Sequence, residues 1–122
     1  MEAVIEGDRV IQHDAVINML PRLTQKSVDY LESRKTNPKP FFLSVPLGSP
    51  HTPIVPTPEW QGKSGLGSYG DFVMQTDNVL GEINTALKDR SLKTWFDEYR
   101  MEADSIDDQM ISGIDNAEVI FV

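Results

Sequence analysis

The chain has 122 residues, which suits one small domain with a modest core. Its formal net charge of −8 argues against nucleic acid or an anionic membrane surface as a partner. With no cysteine, it lacks disulfides, thiolate metal sites and any cysteine-derived nucleophile, and no apolar run is long enough to predict a transmembrane helix.

The opening residues, MEAVIEGDRV, lack the basic start and apolar core of a signal peptide, so the chain as it stands reads as soluble. Residues 3–12 place β-branched pairs around Gly7-Asp8, which predicts a small hairpin or extended arm. Leu23 to Lys35 reads as a helix, with Thr24 as its N-cap and Leu20, Val28 and Leu31 on one face. Pro38 and Pro40 end it. Phe41 to Val45 is a continuous apolar run between prolines, the pattern of a buried strand. Residues 46–70 carry five prolines and five glycines, and a long irregular loop of this kind in a small domain is often functional.

A long helix is predicted from Tyr69 to Asp89, with Phe72, Thr76, Val79, Leu80, Ile83 and Leu87 at helical spacing. Lys93 to Tyr99 reads as a strand. Ser105 to Ile114 reads as a helix with Ile106, Met110, Ile111 and Ile114 on one face, and 118–122 as a final strand. That closing run, Val119-Ile120-Phe121-Val122, is of a type normally followed by more chain. Strands alternating with helices favour an α/β arrangement.

The stretch GKSGLGSYGD, residues 62–71, carries two phosphate-loop signatures. A P-loop needs a glycine five positions before the Gly-Lys-Ser, and that position is Thr57. Gly65 to Gly70 fits G-x-G-x-x-G, but no strand leads into it, as a dinucleotide loop requires. Local physics favours glycines that let the loop turn sharply into a helix. Asp71 then reads as a first-turn acid complementing the helix dipole. Asp71 and Asp77 are six residues apart and do not share a face closely, which disfavours a metal pair.

The wider segment PFFLSVPLGSPHTPIVPTPEWQGKSGLGSYGDFVMQTDNVLGEINTAL, residues 40–87, resembles the middle of the arylsulfatase-type sulfatase family. The hairpin and helix before it fit that family's organisation more loosely, so the resemblance covers residues 3–90 in part. It implies an alkaline-phosphatase-like α/β fold, hydrolysis of sulfate esters, a formylglycine nucleophile made from a C/S-x-P-x-R motif, and calcium held by carboxylates and an amide. It also implies an active-site role for His51, the histidine of the PHTP segment, near the ester oxygen of the substrate. An imidazole there can donate a hydrogen bond to a sulfate oxygen or a proton to the leaving group. The alternative is a loop histidine among prolines. Lys63 is a candidate rim contact for a sulfated substrate, against the alternative of a solvated loop lysine. His13 has no comparable context and reads as a surface residue.

The chain also departs from that family. Ser44-Val45-Pro46-Leu47-Gly48 lacks the arginine of the nucleophile motif. The N-terminal Asp-Asp pair and the downstream Asp-Asn-Gly motif for the metal are missing. No cofactor or metal is therefore expected in this chain. Residues 92–122 instead resemble part of a TIR domain, with Asp107 at the position of a catalytic glutamate. That residue is one methylene short, and the first strand and loop of the domain are missing, which argues against NAD cleavage.

The expected architecture is thus an α/β, sulfatase-like sheet-and-helix fragment over 1–90, continued over 91–122 by a TIR-like strand-helix-strand segment or an insertion with a final strand. Two readings of function follow. One is a sulfatase-like segment, inactive alone, whose full-length relatives act on sulfated small molecules or sulfated glycans. The other is a small α/β interaction module that self-associates through the TIR-like part. A hydrolase completed by a partner chain is a third. No compartment is implied, because exported sulfatases and cytosolic TIR domains point in opposite directions.

Overall fold

The computed structural model describes residues 2–37, 39–89 and 111. Strand β1, Glu2–Glu6, pairs antiparallel with β2, Arg9–Asp14, around the expected Gly7-Asp8 turn. The register sets Glu6 opposite Arg9 and shifts between Val4 and Ile5, a bulge-like irregularity. Most of β2 is exposed, and Ile5, Val10 and Ile11 all face solvent. The hairpin is an arm, not part of the core.

Helix α1, Met19–Ser33, begins four residues earlier than its sequence pattern suggests. The lead-in is a 3₁₀ turn over Val16–Asn18, held by Asp14. The Asp14 carboxylate accepts hydrogen bonds from the Ala15 N–H at 2.8 Å, the Asn18 side-chain amide at 2.7 Å and Arg22 at 2.6 Å. Pro21 sits in the first turn of α1, where the helix has no use for its missing N–H. Thr24 is therefore not a cap. It lies inside the helix, buried, with its hydroxyl donating to the Leu20 carbonyl at 2.9 Å.

Helix α2, Ser68–Lys88, matches the predicted helix within a residue at each end. Its buried apolar stripe is Phe72, Val79, Ile83, Ala86 and Leu87, packed against Leu20 and Leu31 of α1. Leu80, placed on that stripe by the sequence pattern, is 44% exposed, because the contact with α1 is narrower than the apolar arc of α2. Asp71 at the start and Lys88 at the end complement the helix dipole.

The expected strand at Phe41–Val45 is absent. The segment is irregular, although its burial alternates with period two: Phe41, Leu43 and Val45 are half-buried, and Phe42 and Ser44 are exposed. A strand requires a partner, and among the described residues the only sheet is the β1–β2 pair. Packing holds the segment instead. The Phe41 ring meets Tyr30 of α1 edge-to-face at 5.6 Å, and Leu43, Leu47, Ile54 and Val55 lie against the helical core. The predicted strands at 93–99 and 118–122 lie outside the described residues; of the predicted helix 105–114, Ile111 alone is described, as helical. No described helix is long and apolar enough to cross a membrane.

Candidate functional site: the PHTP turn and the loop before α2

The two candidate residues sit at separate places in the irregular segment between α1 and α2. His51 lies in a turn closed by its own N–H donating to the Gly48 carbonyl at 3.1 Å. The Ser49–Pro50 and Thr52–Pro53 peptide bonds on either side are cis. The His51 side chain is exposed, and its Nδ1 lies 3.0 Å from the Thr52 carbonyl oxygen and 3.2 Å from the Thr52 hydroxyl. These partners select opposite tautomers. The carbonyl requires Nδ1–H and leaves Nε2 as an acceptor, whereas the hydroxyl donates to a bare Nδ1 and leaves Nε2–H as a donor. In either case Nε2 makes no hydrogen bond to a described residue and is open to an incoming group.

Lys63 lies in the loop that enters α2. That loop is organised from the helix. The buried Asp71 carboxylate accepts from the Gly62 N–H at 2.8 Å, the Ser64 N–H at 2.8 Å and the Ser64 hydroxyl at 2.7 Å. These bonds, led by the Ser64 hydroxyl, hold the Asp71 carboxyl below the usual carboxylate range. One turn later, the buried Gln75 accepts from the Thr57 N–H at 3.0 Å through its side-chain oxygen. Gly67, just before the helix, adopts φ 83° and ψ 179°, a conformation essentially reserved for glycine. Gly70 permits close approach: a Cβ there would lie 2.9 Å from Leu66 Cβ.

The glycine-rich stretch therefore wraps a carboxylate of its own chain. The Gly62 and Ser64 amides, which a phosphate loop would offer to an anion, already have one in Asp71. The first-turn acid expected from the sequence is present, but its main partners are in the loop. Sequence reasoning missed Asp71 and Gln75 as organisers of the loop. The available signal was an acid seven residues after Ser64 with an amide one helical turn beyond it.

Asp71 fixes the backbone on both sides of Lys63, and the Lys63 Nζ lies 4.5 Å from the centre of the Trp60 ring. Lys63 and Trp60 border a groove of about 450 Å³ with Glu59, Asn78 and Glu82. His51 is not among the groove's lining residues, so the structure does not bring the two candidates into one pocket. His13 is exposed on β2, as expected.

The sulfatase family model matches residues 21–96, more than half of the chain. The chain belongs to the sulfatase family. It is 42% identical over 65 residues to an N-acetylgalactosamine-6-O-sulfatase of Bacteroides thetaiotaomicron, covering 53% of this chain and 12% of that sulfatase. It is 38% identical over 71 residues to arylsulfatase D of Homo sapiens, covering 58% and 12%. It is 31% identical over 72 residues to an N-acetylgalactosamine-6-sulfatase of Canis lupus familiaris, covering 59% and 14%. The chain thus spans roughly an eighth of the length of the curated sulfatases it matches. No solved structure matches it.

The family match runs past residue 90 to residue 96, and a TIR-like character for residues 92–122 finds no support in these comparisons. That stretch, Asp107 included, lies outside the described residues apart from Ile111.

Among the described residues no three His, Cys, Asp or Glu side chains form a group able to hold a metal ion. Asp71 is committed to the loop, and Asp77 is exposed on α2. The described residues do not fit a calcium site, and the chain has no C/S-x-P-x-R motif to supply a formylglycine.

Proposed function

We propose that this chain is a segment of a sulfuric ester hydrolase and that His51 is its contribution to the reacting centre. The observation that carries the reading is the PHTP turn itself: it lies inside the sulfatase family match, and it leaves Nε2 of His51 open. A protonated ring donates Nδ1–H to the Thr52 carbonyl and presents Nε2–H, which can hydrogen-bond the ester oxygen. Release of the Nε2 proton to the departing alkoxide leaves the neutral Nδ1–H tautomer, already paired with that carbonyl. Lys63, held by its Asp71-bound neighbours, lies in the separate groove beside Trp60 and is a rim cation for a sulfate carried elsewhere on the same substrate. The relatives are named for sulfated N-acetylgalactosamine and for aryl sulfates, so the substrate class is a sulfated glycan or a sulfated small molecule.

Alone, the 122-residue chain lacks the family's nucleophile and metal-binding motifs, and on this reading it does not hydrolyse sulfate esters. An aryl sulfate assay with calcium tests this: turnover that disappears in His51→Ala would overturn the inactivity. In a complete enzyme carrying this segment, His51→Ala lowers kcat/KM by about 10²–10⁴. An unchanged kcat/KM would remove His51 from the reaction.

A second reading rests on the SIDDQM…AEVIFV pattern of residues 105–122, which favours a self-associating module. Light scattering across concentration tests it, and strictly monomeric behaviour removes it.

A further inference from the structure

The groove beside Lys63 has a chemistry of its own. Trp60 is half-buried and is covered at one place by the ammonium of Lys63. Among the described residues Lys63 has no ion-pair partner, although Glu59 and Glu82 line the same groove. Each of those carboxylates spends one oxygen internally. Glu59 accepts from the Thr57 hydroxyl at 3.2 Å, and Glu82 from the Asn78 amide at 2.6 Å. Each has a second oxygen that accepts from no described residue. The groove therefore offers one aromatic face, two carboxylate acceptors and one unpaired cation at its rim.

We propose that this groove is a sugar-binding subsite outside the His51 turn, which takes one sulfated sugar residue with its ring on Trp60, its hydroxyls on Glu59 and Glu82 and its sulfate on Lys63. A sugar ring presents an apolar C–H face to an indole and hydroxyl donors around its edge, which match free carboxylate oxygens. Displacing Lys63 from the ring costs little, since an exposed cation–π contact is weak. The ammonium then meets the sulfate directly. The two glutamates decide the orientation, because an anion placed deeper in the groove would meet them. They also disfavour a ring sulfated at several positions. The choice of sulfate as the anion rests on the hydrolase reading above; the groove itself does not.

The test uses the full chain with Trp95→Phe, which leaves Trp60 as the only indole. Its fluorescence is titrated with N-acetylgalactosamine 6-sulfate and with N-acetylgalactosamine. A saturable change is expected with the sulfated sugar. Lys63→Met weakens that binding about tenfold, as loss of one good charge contact does, and leaves the unsulfated sugar unaffected. Trp60→Ala, followed by nuclear magnetic resonance of the Asn78 side-chain amide, abolishes binding, and His51→Ala does not alter it. No saturable change, equal affinity for the two sugars, or full binding by Trp60→Ala would each overturn the proposal. Loss of binding in His51→Ala with retention in Trp60→Ala would place the sugar at the PHTP turn, overturning the groove and sparing the hydrolase reading. Saturable binding beside a complete enzyme found to lack sulfatase activity supports the groove and counts only against the hydrolase reading.

Discussion

The Ser64 hydroxyl donates to the Asp71 carboxylate at 2.7 Å, and the Ser64 N–H donates to the same oxygen at 2.8 Å. One carboxylate in the first turn of α2 thereby fixes the loop that presents Lys63. The Ser64 hydroxyl also accepts from the Leu66 N–H at 3.0 Å, which carries the constraint one residue pair further.

Removing that hydroxyl has a defined outcome. Ser64→Ala keeps both backbone bonds to Asp71 and loses about 1 kcal/mol of stability in urea unfolding. Asp71→Ala leaves the Gly62 and Ser64 amides without their acceptor and lowers the urea midpoint further than Ser64→Ala does. Equal midpoints for the two variants would show that the backbone amides find water without loss.

Acid lowers the stability of the chain in a predictable window. The Asn18 amide, then Arg22, then the Ala15 N–H hold Asp14 down from 3.8 to about 2. Asp71 is lowered in the same direction. A carboxyl with a depressed folded pKa binds protons more readily when unfolded, so stability rises with pH through this range. The contribution of Asp14 is complete above its unfolded pKa near 3.8 and fades as pH falls towards about 2. Urea midpoints measured from pH 5 to pH 2 check this, and Asp14→Asn should flatten the slope.

Two glycines of α2 should respond oppositely to alanine. At Gly70 a Cβ would meet Ser64 Oγ at 2.7 Å and Leu66 Cβ at 2.9 Å. Gly70→Ala therefore displaces the loop and costs about 1–3 kcal/mol. At Gly81 nothing lies within 4 Å, so Gly81→Ala gains about 0.5–1 kcal/mol from helix propensity alone. Thermal unfolding of the two single variants gives the signs directly.

The core and the exposed edge of the apolar arc separate in the same way. Leu31 is fully buried between the helices, and Leu31→Ala costs about 2–5 kcal/mol. Leu80 is 44% exposed, and Leu80→Ala changes stability by less than about 0.5 kcal/mol. A comparable loss at Leu80 would mean that its face of α2 is covered.

What could be read from the residues alone was whatever rests on local physics. The Gly7-Asp8 turn, the span of α2 and most of its apolar spacing follow from backbone preference and periodicity, and the structure carries them with Leu80 excepted. The long motif around PHTP was enough to place the chain among the sulfatases. Tertiary structure decided the rest, because it depends on partners distant along the chain. Phe41–Val45 has the composition of a strand, yet a strand exists only where another lies beside it. Thr24 has the chemistry of a cap, but the bonds made by Asp14 start the helix sooner. GKSGLG has the glycines of a phosphate loop, and its Gly62 and Ser64 amides are turned onto Asp71. A spacing shows which amides can gather around an anion; only the folded chain shows that the anion is one of its own carboxylates.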